Sequence, residues 1–171
     1  MKEIDAQLKQ KIKSNILNLL NSELDPGQNS KICDFIIVIM EKVLDSEEEW
    51  PELFTLAFSI YNYEPNDNSK IFQIQTLLKL LIGGTAYMYD KISEQFDKFI
   101  PYLEKILESS IDMKIKAIAT EFICELISSC EDGEVQLFKE AIHKVIRNIG
   151  ICYDMKEKMP EDSVKNFLNY V

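Results

Sequence analysis

Residues 28–44 read Gln28-Asn29-Ser30-Lys31-Ile32-Cys33-Asp34-Phe35-Ile36-Ile37-Val38-Ile39-Met40-Glu41-Lys42-Val43-Leu44. At helical spacing Lys31, Asp34, Glu41 and Lys42 gather into one narrow polar stripe. Cys33, Phe35, Ile36, Ile37, Ile39, Met40, Val43 and Leu44 cover nearly all the rest. A helix that is apolar over most of its circumference is stable in water only when neighbours pack on several of its sides. The pattern recurs at 111–129, where Lys114, Glu121, Glu125 and Ser128 fall on one line amid Ile115, Ile118, Phe122, Ile123, Leu126 and Ile127.

Two other segments are of a second, one-sided kind. In 92–109, Ile92, Phe96, Phe99, Ile100, Leu103, Ile106 and Leu107 make a single apolar face, opposite Glu94, Asp97, Glu104 and Glu108. In 134–152, Leu137, Phe138, Ala141, Ile142, Val145 and Ile149 oppose Gln136, Glu140, His143 and Arg147. The periodicity as a whole predicts helices at about 3–22, 28–44, 50–63, 68–83, 92–109, 111–129 and 134–152, with an incomplete one near 161–171. Breakers separate them: Asp25-Pro26-Gly27, then Glu64-Pro65-Asn66-Asp67-Asn68, then Gly83-Gly84 as the close of the fourth helix, and Asp132-Gly133 before the seventh.

Deeply apolar and half-apolar helices therefore alternate, and each pair recurs after about 40 residues, the period of HEAT and armadillo repeats. The fold expected is all-α, an α-α superhelix (HEAT-repeat solenoid) of seven to eight helices in antiparallel pairs. Its units are 1–24, a helix of a preceding repeat; 25–64, 65–110 and 111–153, three repeats; and 154–171, the start of a truncated one. A closed bundle is the alternative, but a bundle has no reason to repeat this alternation at a fixed period. Neither end reads as the polar capping repeat a solenoid requires, so the chain is expected to be a segment of something longer.

Glu49-Trp50-Pro51-Glu52-Leu53-Phe54 opens a second-layer helix after the acidic loop Asp45 to Glu49. Proline suits the first helical turn, where its missing N–H is no loss. Trp-Pro-Glu at that place resembles the HEAT repeats of the importin-beta (karyopherin-beta) superfamily. Phe96-Asp97-Lys98-Phe99-Ile100-Pro101-Tyr102-Leu103 and Val135-Gln136-Leu137-Phe138-Lys139-Glu140-Ala141 look like the corresponding helices of the next two repeats. Asn29 to Asp34, Glu134 to Lys139 and Glu161 to Val164 follow in an order similar to the beta-3 importin type. The resemblance implies a segment from the N-terminal third of a nuclear transport receptor. It further implies partners among the Ran GTPase, nucleoporin phenylalanine–glycine repeats and basic cargo such as ribosomal proteins or histones, and a place in cytoplasm and nucleus.

Charge points the same way. The formal net charge is −10, with no Lys/Arg stripe, which argues against direct nucleic-acid binding and favours a basic protein partner, while also keeping the chain soluble. Glu52, Glu94, Asp97, Glu104, Glu108 and Glu140 are the second-layer carboxylates expected nearest a partner. No uncharged apolar run reaches the roughly 18–20 residues of a membrane span, and a monomer is expected.

Motifs for chemistry are sparse. Glu140-Ala141-Ile142-His143 is a Glu-x-x-His, but the carboxylate-bridged metal bundles that use it need two copies, and the sequence has one histidine. Cys33, Cys124, Cys130 and Cys152 form no CxxC pair, so zinc lacks closely spaced ligands and free thiols in a reducing compartment are expected. Gly83-Gly84-Thr85 lacks the lysine of a phosphate loop, and Asp45 to Glu49 lacks the ligand alternation and glycine of an EF-hand. Trp50 is read as packing at its helix start, and Pro101 as a kink. The expectation is a binding scaffold with no cofactor, no metal and no catalytic site; a structural HEAT subunit of another multiprotein complex is the alternative.

Overall fold

A computed structural model describes residues 6–20, 26–44, 50–109, 113–130 and 133–154 of the chain. These form α1 (Ala6–Leu20), α2 (Pro26–Leu44), α3 (Pro51–Phe58), α4 (Ile71–Ser93), α5 (Phe96–Glu108), α6 (Met113–Ser129) and α7 (Lys139–Asp154), and no strand occurs among the described residues. Short 3-10 turns at Ser59–Asn62, Asn68–Lys70 and Glu134–Phe138 finish or precede helices. The acidic loop 45–49 and the expected helix near 161–171 lie outside the described residues.

Local chemistry explains most boundaries. Pro26 and Pro51 open α2 and α3, and the Trp50 carbonyl accepts from the N–H groups of Leu53 and Phe54 at 3.1 and 3.3 Å. The Asp67 carboxylate caps the turn before α4, accepting from the Ser69 N–H at 2.9 Å. Gly133 has φ 107°, a left-handed conformation that costs glycine little, and it redirects the chain into α7.

One expected boundary is wrong. Gly83-Gly84 do not close the fourth helix; α4 continues through them to Ser93 and takes Ile92 from the expected next helix. The glycines serve packing between helices instead. A Cβ at Gly83 would overlap the end of Ile37 on α2, and one at Gly84 would come within 2.7 Å of Met40 Cε. The absence of side chains lets α2 and α4 approach closely, and α4's own hydrogen bonds carry the two weak helix formers. The expected third helix also ends early, changing to 3-10 geometry after Phe58, and the first turn of the expected seventh is 3-10. Pro101 sits inside α5, which is helical on both sides of it.

Packing follows separation by two along the chain. α4 lies against both α2 and α6, and α5 lies against α7 as well as α6. The α2–α4 contacts rise in the same sense: Cys33 Sγ donates to Thr76 O at 3.6 Å, Ile37 faces Gly83, and Met40 faces Gly84. These two helices therefore run parallel. So do α5 and α7, where Phe96 meets Phe138, the residue just before α7, with ring centroids 5.2 Å apart, Glu104 meets Lys144, and Leu107 meets Asn148. Buried side chains from Ile16 to Val145 form one continuous core. Its middle is aromatic, with Phe99 edge-on to Phe58, Tyr61 and Phe122 at 5.6, 4.8 and 5.9 Å.

α6 meets the expectation of a deeply packed helix: Ile115, Ile118, Phe122, Ile123 and Leu126 are buried, and Lys114, Glu125 and Ser128 are exposed. α2 meets it only in part. Cys33, Ile36 and Met40 are buried, but Phe35 and Val38 are 57% and 54% exposed. Among the described elements α2 packs on α1 and α4, whereas α6 packs on α4, α5 and α7, and two neighbours cover less of a cylinder than three.

Candidate functional site

The expected partner-facing carboxylates occupy three helices and one connection. Glu52 lies in the first turn of α3, Asp97 in the first turn of α5 and Glu140 in the first turn of α7, all exposed. A carboxylate there also complements the partial positive charge of a helix N-terminus. Glu94 caps the end of α4 rather than standing on a second-layer helix, because α4 is longer than its pattern suggested.

Glu104 and Glu108 stand apart from the other four. The Lys144 ammonium on α7 donates to Glu104 Oε2 at 2.6 Å and lies 3.0 Å from Glu108 Oε1. Spacing by four residues puts both carboxylates on one face of α5, and parallel packing puts Lys144 between them. The lysine is held above its usual pKa, first by the bond to Glu104 and against a smaller opposing effect of burial. Glu104 and its lysine are each about four-fifths buried, while Glu108 is 58% exposed. This pair of acids is thus already engaged within the chain.

Beside that brace a cleft of about 290 Å³ opens between α5, α6 and α7, lined by Leu107, Glu108, Lys116, Lys144, Arg147 and Asn148. Asn148 is 5% exposed, and its amide donates to the Leu107 carbonyl at 3.1 Å and the Lys144 carbonyl at 3.0 Å. Lys116 is 9% exposed, on the side of α6 away from the Lys114–Glu125 stripe. Sequence reasoning missed this grouping. Its one local signal was a lysine two residues off the polar line of an otherwise apolar helix.

The remaining reactive groups are placed structurally. Glu140 and His143 are both exposed on α7, and among the described residues no three His, Cys, Asp or Glu side chains come together in a way that could hold a metal ion. Cys33 is buried, and burial pushes its thiol up to about 11; Cys124 and Cys130 are half-buried, while the side chain of Cys152 lies outside the described ones. Trp50 is fully buried, as its position suggested, with Lys13 Nζ 5.8 Å from its ring centre. The Tyr89 hydroxyl donates to Glu134 Oε2 at 2.7 Å, tying α4 to the turn before α7, and its pKa is raised chiefly by burial. No described helix is long and apolar enough to cross a membrane.

No protein-family model, curated protein or solved structure matches this chain.

Proposed function

We infer that the chain is a protein-binding scaffold, an α-α solenoid segment of HEAT type from a nuclear import receptor. The observation that carries the solenoid reading is the parallel packing of helices two apart, α2 with α4 and α5 with α7. An up-and-down bundle places consecutive, antiparallel helices side by side around one axis. A stack of helix pairs places each helix beside its equivalent in the next pair. Recurrence of the pairs from Pro26, Ile71 and Met113 fits the same scheme.

The receptor reading rests on the Trp50-Pro51-Glu52 helix start and on the order of the later segments, and partner choice on charge. Glu52, Asp97 and Glu140 recur at one stage of successive second-layer helices, so a basic protein surface would meet a repeated row of carboxylates. Such a row speeds encounter and selects among partners, while buried anchors supply most of the affinity. Basic cargo of the ribosomal-protein or histone type, GTP-bound Ran and nucleoporin repeats are the proposed partners, in cytoplasm and nucleus.

Isothermal titration of the purified chain with a histone dimer, at low and high salt, tests the reading. Replacing Glu52, Asp97 and Glu140 together by serine should weaken binding several-fold at low salt, with a smaller effect at high salt. Unchanged affinity at low salt would remove it. Engagement of Glu104 and Glu108 by Lys144 also suits a scaffold whose acids hold its own helices in register within some other complex. Recovery of a stable stoichiometric assembly without Ran or nucleoporins would favour that alternative.

A further inference from the structure

We draw no further inference here: the strongest candidate, the exposed apolar patch that Phe35 and Val38 form on α2, carries nothing, because nothing in the structure shows what covers it.

Discussion

Lys144 on α7 and Glu104 on α5 meet at 2.6 Å across two parallel helices 40 residues apart in the chain. The pair ties α5 to α7 at one register, and Glu108 one turn further along gives the lysine a second acceptor.

Loss of that brace should be measurable but modest. Lys144→Met should cost about 0.5–1 kcal/mol in urea denaturation, because partly exposed ion pairs contribute no more than this. The pH dependence has a definite sign. With the folded pKa of Lys144 raised, its contribution is fully present below the ordinary lysine value of 10.5 and is lost as pH rises through the raised one. The stability difference between wild type and Lys144→Met should therefore hold at pH 8 and shrink in strong alkali.

Gly83→Ala pits helix propensity against space. Alanine gains about 1 kcal/mol over glycine within a helix, but its methyl would overlap Ile37, and overpacking costs about 1–3 kcal/mol. A net destabilisation of about 1 kcal/mol is expected, reversed to a gain when Ile37→Ala is the background. A double-mutant cycle of thermal melts without that coupling would show that the glycine is not a close-approach residue.

Trp50 is the single tryptophan and is fully buried, so native fluorescence should be blue-shifted and resist acrylamide quenching. Trp50→Ala should cost about 3–5 kcal/mol, enough to leave a marginal domain largely unfolded. Trp50→Phe should cost much less, since the indole N–H has no hydrogen-bond partner among the described residues to lose.

Cys33 should be the slowest of the described thiols to alkylate under native conditions, because it is buried and its pKa stands near 11. Half-buried Cys130 should react first, and Cys33 only at the rate of opening. Mass-spectrometric mapping of a timed iodoacetamide reaction distinguishes them. Fast modification of Cys33 at pH 8 would contradict the packing of α2 on α4.

The helical class and most helix positions were legible from periodicity, since one-sided burial leaves a trace on every third or fourth residue. α5 is the clearest case: Phe96, Phe99, Ile100, Leu103, Ile106 and Leu107 are all buried, as their spacing required. The candidate site was less legible. Exposure of Glu52, Asp97 and Glu140 followed from the same pattern, but Glu104 and Glu108 have that pattern too and differ only in what lies opposite them.

The order of residues by itself determined an all-helical class, the helix start at Pro51, and the burial of Trp50. These depend on backbone stereochemistry and on apolar spacing within one element, both of which are local. Tertiary packing decided that Gly83-Gly84 join rather than end a helix, that Phe35 and Val38 stay exposed, and that Lys116, Lys144, Arg147 and Asn148 line one cleft. Each of these depends on neighbours far along the chain, or on how many neighbours a helix has, and no local pattern carries that information.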